Sequence, residues 1–482
     1  AAWPEEIYPP LFPLLLASVD AGNHLDRAHL VTVATYSGFL ALFAVWSRRV
    51  TGSRLVAVAT VLLMAVSYYA WLHNLRILSE GLFMALVTLG LLASDWARGV
   101  PRRHLVVGLI LALVVLTRSI GFALLLAYWV HMAFAIRKGA ESPRSLLAGL
   151  SVSVATIVPW YLIRPESAAS RYGEGLDWAV SAFSQGGLEK LLSPQIAVLD
   201  EAWIGLWTPY LLPEIGAQNI VLAVVAVLAV VGLLRGLIQA QAAAWYVFIS
   251  LGVLLLWPYP GQMTRFLLCL APFLLAFSSQ TMLALSASRT RDRAGFVAAA
   301  VPGALAVLVA MPALGTIQGR SNFEDTREDY GRIAEFYLVA DPRSARQKAE
   351  VQLVMFDDLD WMRDHLPENA RVMAMAPGYV AYLARREAVR LPHELSGGEL
   401  AQAVRRAGVD YVWLSRLHPR FTRDDVDGTA LISRMRAFAD VVRMRKSRLD
   451  GRPLTVLLRV DPEALRHLSN PQPESDTAEL SR

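Results

Sequence analysis

The chain has one cysteine, Cys269, in 482 residues. No disulfide can form within one copy, and no cysteine cluster can hold a metal. Charge is also scarce, at 18% of residues, where a soluble chain carries about 25%. The scarcity is uneven. Residues 1–315 hold 20 Lys and Arg against 15 Asp and Glu, while residues 316–482 hold 26 of each. The net charge of +5 thus belongs to the first part. The balanced second part gives nucleic acid no electrostatic footing. No signal peptide is visible, and the first residue is Ala1 rather than Met. The expectation is a natural N-terminus upstream, with one further span.

What the chain has in excess is apolar sequence. Hydrophobic residues make up 55%, against about 45–50% in a soluble domain, and mean hydropathy is +0.40. The excess lies in ten blocks near residues 28–46, 55–72, 77–94, 105–117, 119–136, 145–163, 218–238, 241–257, 266–286 and 295–315. Most approach the roughly 20 residues that a helix needs to cross hydrocarbon, where backbone groups must be satisfied internally. Alternate connections between blocks carry 13 of the 20 basic residues and only Asp95, Glu141 and Asp292 as acids. Arginine and lysine favour the cytoplasmic side. That places residue 1, the connection 164–217 and residues 316–482 on the outer face of the inner (plasma) membrane.

The expected organisation is a remainder of an outer loop (1–27), a ten-helix transmembrane domain (28–315) and an extracytoplasmic α/β domain (316–468). A polar, proline-containing tail (469–482) is expected to be disordered. The connection 164–217 is rich in aromatics, which suit the lipid–water boundary, and short amphipathic helices lying on the membrane are expected there. In the soluble part, DDLDWMRDHLP and GGELAQAVRRAGV read as helices, and ARVMAMAP, DYVWLS and LTVLLRV as strands. The peptide LSGGE (Leu395–Glu399) matches the signature of ABC-transporter ATPases. No G-x-x-x-x-G-K-[ST] loop accompanies it, so it reads as the turn that starts a helix.

Several charges stand at the outer ends of spans. The block before Arg118 is only about 13 residues, roughly 20 Å of helix. Arg118 then lies below the membrane surface, where a charge is costly unless it is paired or lines a cavity. Glu80 is a candidate partner. Arg76 and Glu80 are four apart, at helical spacing, and can also pair with each other. Arg265, which opens a span after PYPGQMT, and Arg171 are further outer cations. Each can bind phosphate or reach to headgroups. His73 at the same mouth reads as interfacial packing.

EEIYPPLFPLLLA (Glu5–Ala17) sets two acids and a tyrosine before a run too short to span, and Pro9 and Pro10 fix the entry of a helix. YPPLFPLLLA resembles the Y-P-P-L-[YF]-P segment of lipid-linked-sugar glycosyltransferases of the GT-C superfamily. The resemblance is to bacterial and archaeal relatives of dolichyl-phosphate-mannose protein mannosyltransferases. NLRILSEGLFMAL, LTRSIGFALLLA and TRFLLCLAPFLLAF resemble their R-x-x-S-E-x-L-F, L-T-R-x-x-G and R-[YF]-L-L-P-x-x-P segments. WMRDHLPENARVMA and GVDYVWLS resemble their outer C-terminal domain. The resemblance runs along nearly the whole chain.

This resemblance implies a mainly α, polytopic GT-C membrane protein with a C-terminal extracytoplasmic α/β domain. It implies transfer of a sugar from a polyprenyl-phosphate carrier to an outer-face acceptor, which is protein, lipid or envelope glycan. Arg265, Arg118 and Arg76 would hold the phosphate, with Glu80 beside them. Tyr8, Pro9 and Pro10 would shape the loop that carries the base. The acidic motif of such enzymes precedes Y-P-P-L and is expected upstream of Ala1; Glu5 and Glu6 are late members of the same loop. Partners are the lipid-linked donor, membrane lipids and the acceptor, with no nucleic acid. The resemblance leaves a divalent cation open as cofactor. Some lipid A aminoarabinose transferases of the superfamily hold a metal near the long outer loop with Glu and His, but 164–217 contains no His and no ligand set is visible. The alternatives are a transporter or lipid flippase, and a non-catalytic subunit of an envelope-polymer assembly. A transporter should show internal repeats and broken midplane helices, and the sequence shows neither.

Overall fold

A computed structural model describes residues 9–20, 25–67, 70, 77–163, 170–207, 216–257, 262–286, 294–300, 302–307, 342–375, 377–391, 397–415, 428–448 and 451–468. The chain divides into two compact units, within 6–317 and within 318–482.

Among the described residues, the regular structure of the first unit is all helix. A short α1 (Leu11–Ser18) is followed by α2 (Leu25–Thr51), α3 (Arg54–Val66), α4 (Glu80–Ala97), α5 (Arg103–Thr117), α6 (Phe122–Arg137) and α7 (Pro143–Ile163). Then come α8 (Ser170–Trp207), α9 (Gly216–Ile238), α10 (Ala242–Leu255) and α11 (Met263–Leu285). A last helical stretch covers 294–300 and 302–307. Among the described residues, each of the ten apolar blocks overlaps a helix. Among the described residues, six helices are long and apolar enough to cross a membrane, and four are shorter apolar ones. The unit is that of a multi-pass membrane protein. Exposed Leu and Val along α3, α5 and α9 give it an apolar outer surface, as lipid contact requires.

Helix contacts rely on small residues and backbone acceptors rather than on bulky packing alone. A Cβ on Gly108 of α5 would overlap the carbonyl of Gly149 on α7. Ser153 Oγ donates to Gly108 O at 3.0 Å across the same seam. On α9, a Cβ on Gly232 would overlap Phe277 O of α11, and Thr281 Oγ1 donates to Leu228 O at 2.9 Å. An aromatic ladder of Phe39, Phe43 and Trp46 on α2 meets Phe273 of α11 edge-on, with centroids 6.0 Å from Phe43 and 5.0 Å from Trp46. We expect Gly108→Val to force α5 and α7 apart, costing about 1–3 kcal/mol or more by overpacking. A lowered thermal midpoint in detergent relative to wild type would register it.

The connection 164–217 departs from the expectation. Its helical stretch α8 is two helices joined at a break, where Gly186 and Gly187 leave helical geometry and Gly187 takes φ 65°, and the second of them does not lie on the boundary. Beyond the break, Ala202, Trp203, Leu206 and Trp207 are buried in the helical core. Trp203 Nε1 donates to Leu222 O of α9 at 3.2 Å. These two tryptophans are packing residues and not a boundary belt. Spaced four apart on one helix face, they bury large apolar area as a pair.

The second unit is α/β. Its sheet has the order β2 (Glu387–Arg390), β1 (Arg371–Ala374), β3 (Tyr411–Ser415), β5 (Pro453–Val460), β4 (Ala439–Lys446). The first three strands are parallel, and β5 joins antiparallel to both β3 and β4. The long helix α12 (Pro342–His365) buries Met355, Leu359 and Met362 at helical spacing against Val372, Trp413 and Leu457 of the sheet. A second cluster joins the sheet to α13 (Gly397–Ala407), α14 (Gly428–Met435) and α15 (Pro462–Leu468) through Leu400, Val404, Met435 and Leu465. Asp358, 2% exposed, accepts from Arg443 Nε at 2.7 Å and from Trp413 Nε1 at 3.3 Å. That locks α12 to β4 and β3. The tail 469–482 lies outside the described residues, as do Leu395 and Ser396 of LSGGE; α13 begins at Gly397.

Candidate functional site

The site is built where three helix ends meet. Glu80 opens α4, in its first turn, after Ser79. Arg118 sits where α5 stops. Its backbone is extended (φ −153°, ψ 137°), and a single 3-10 turn, Ser119–Gly121, leads into α6. Gly121 makes this reversal possible, because a Cβ there would stand 2.7 Å from the carbonyl of Val114. Arg265 lies in the first turn of α11.

These three side chains converge. Arg118 Nη1 and Arg265 Nε both donate to the same carboxylate oxygen, Glu80 Oε1. Glu80 is 1% exposed and Arg118 9%. The Arg265 side chain is 29% exposed. Burying one such charge costs several kcal/mol, so Arg118 and Glu80 must compensate each other. The Arg118 guanidinium also lies 5.1 Å from the ring centroid of Phe266 and 5.9 Å from that of Phe83. Aromatic faces attract a cation in this way and restrict how it turns. Trp257 abuts Phe266 edge-on at 5.4 Å.

Two guanidinium groups against one carboxylate leave a net charge of +1. Among the described residues, the two Nη groups of Arg265 make no hydrogen bond, and neither does Glu80 Oε2. A planar guanidinium fork held at one nitrogen and open at the other two is a ready acceptor for carboxylate or phosphate oxygens.

Of the residues singled out from sequence, the structure brings together Glu80, Arg118 and Arg265. Arg76, Tyr8, Glu5, Glu6 and His73 lie outside the described residues, as does the Arg171 side chain. Glu80 therefore pairs, among the described residues, with arginines 38 and 185 positions away. Pro9 is described, and Pro10 precedes α1 and accepts the Leu14 amide at 2.9 Å, a helix-starting role. Sequence reasoning missed Phe83, Phe266 and Trp257. The signal for Phe266 was available in its position next to Arg265. Among the described residues, no three His, Cys, Asp or Glu side chains converge as metal ligands would.

No protein-family profile matches the chain, and no curated protein matches it. Among solved structures, it is similar to the crystal structure of ArnT from Cupriavidus metallidurans bound to undecaprenyl phosphate. The match covers 96% of this chain and 89% of that one, with 12% identity and a TM-score of 0.43.

Proposed function

We propose that this protein is a membrane glycosyltransferase that moves a sugar from a polyprenyl-phosphate carrier to an acceptor on the outer face. The observation that carries this reading is the shared Glu80 oxygen, which holds Arg118 and Arg265 together as a net cationic pair at three helix ends. In the charge-derived topology, these ends face outward.

The chemistry such a pair supports is departure of a phosphate. The acceptor hydroxyl oxygen forms a bond to the anomeric carbon as the bond from that carbon to the phosphate oxygen breaks. The hydroxyl proton passes to a general base, and the carrier leaves as its phosphomonoester with the bonding electrons. Cationic donors placed where charge develops lower that barrier. Arg265, with its open fork, would take the phosphate, and Arg118 would support it. The base belongs to the first outer loop, where Glu5, Glu6 and any acid before them would stand. Residues 316–468 would form the acceptor-facing domain on the outer side of the plasma membrane.

Mass spectrometry of envelope glycans, glycolipids and glycoproteins tests this in a deletion strain complemented with wild type or with Arg265→Ala. One sugar modification should vanish on deletion and return only with wild type. Identical profiles in all strains would reject the enzyme and leave a carrier-transport or assembly role.

A further inference from the structure

We infer that Glu80 sets the charge preference of the Arg118–Arg265 site, fitting it to a singly charged phosphodiester and against a doubly charged phosphomonoester. The inference rests on the phosphate-binding reading above and adds a role for the acid that reading leaves as a mere counter-ion.

The argument starts from the geometry. One Glu80 oxygen is the common acceptor of both guanidinium groups, so the acid cannot serve one arginine alone. It subtracts a full charge from the site as a whole. Glu80 is itself 1% exposed, and the Arg118 guanidinium bonded to it faces the rings of the fully buried Phe83 and of Phe266, so the pair lies among apolar groups. In such surroundings a charge mismatch is felt far more strongly than in water. The charged groups that face Glu80 among the described residues are Arg118, from the break between α5 and α6, and Arg265, from α11. Cys269, one turn along α11, and Tyr246 on α10 are further titratable groups within electrostatic reach of the cluster, Tyr246 through Arg118.

The two ends of the reaction differ in charge. In the donor, the phosphate is esterified on both sides, to polyprenol and to sugar, and carries one negative charge. In the product it is esterified only to polyprenol. A phosphomonoester carries about −1.5 to −2 at pH 7, with a second pKa near 6. A +1 site neutralises the first and leaves the second over-charged. The spent carrier is thus held more weakly than the loaded one, and the site clears after each transfer. Without Glu80, the same two arginines would favour the spent carrier.

The test is equilibrium binding to the purified full chain in lipid nanodiscs. The probes are farnesyl phosphate, a monoester, and its monomethyl ester, a diester, between about pH 5 and pH 8 on either side of the second pKa near 6. Wild type should bind the diester with an affinity that does not change with pH, and the monoester several-fold more weakly as pH rises. Glu80→Gln keeps the shape and removes the charge. It should shift the monoester-to-diester affinity ratio by about tenfold toward the monoester and reverse the pH trend, one unit charge being worth at least this at a buried site. A purely structural Glu80 would weaken both probes alike and leave the ratio where it was, which would overturn the inference while the phosphate site stands. If wild type binds neither probe, the phosphate site and the inference fall together. Should Glu80→Gln not fold, the wild-type pH arm decides alone: monoester affinity that is flat or rises with pH refutes the assignment.

Discussion

Arg265→Ala should lower sugar transfer by at least about a hundredfold while the protein still inserts and folds, because removing one preorganised donor from a site of developing charge costs about that much. The structure separates the two effects. Arg265 is the most exposed member of the cluster, with its side chain at 29%, and Glu80 keeps Arg118 as a partner when Arg265 is gone. Folding therefore loses little. Arg265→Lys restores the charge but not the planar fork, so it should recover only part of the activity. The measurement is turnover in proteoliposomes supplied with lipid-linked sugar extracted from the producing organism's membranes. Wild-type turnover by Arg265→Ala would remove the phosphate role altogether.

Arg118→Ala should fail differently, losing stability as well as activity. It takes away one of the two cations that hold Glu80, a carboxylate at 1% exposure. It also empties the space between Phe266 and Phe83. Breaking a buried pair by removing one partner costs about 3–5 kcal/mol. Arg265 still contacts Glu80, which puts the expected loss near the lower end. The thermal midpoint in detergent should drop clearly for Arg118→Ala and hardly at all for Arg265→Ala. Arg118→Met combined with Glu80→Leu, which replaces the pair by apolar groups, should regain most of that midpoint without regaining transfer. Equal midpoints for the two single alanine variants would show that Arg118 is not the structural member.

Much of the helical unit could be read directly from sequence, because its signal is local: an uncharged block must become a helix in lipid. The short span before Arg118 was legible for the same reason. The observed helix, Arg103–Thr117, ends one residue before that arginine. The cost of a buried charge then pointed to Glu80. What sequence could not supply was the meeting of Glu80 with Arg265, since no spacing rule links residues 185 apart. Trp203 and Trp207 of α8 depart from the boundary expectation because boundary aromatics and core aromatics look alike until the neighbouring helices are in place. In the α/β unit, the inner strands announced themselves by continuous apolar runs such as YVWLS and LTVLLRV. The edge strands EAVR and ADVVRMRK did not, because charges interrupt them, as edge positions tolerate.

The break after Thr117 has a consequence for the lipid itself. Fifteen residues of α5 rise only about 22 Å, well short of the roughly 30 Å hydrocarbon slab. The bilayer beside this helix must therefore thin, or water must reach down into the protein to meet the polar turn. Either way the headgroup plane is drawn inward at this place. A long-chain phosphate could meet its receptor at that depth with its tail still lying in the leaflet, and would not have to be lifted out of it.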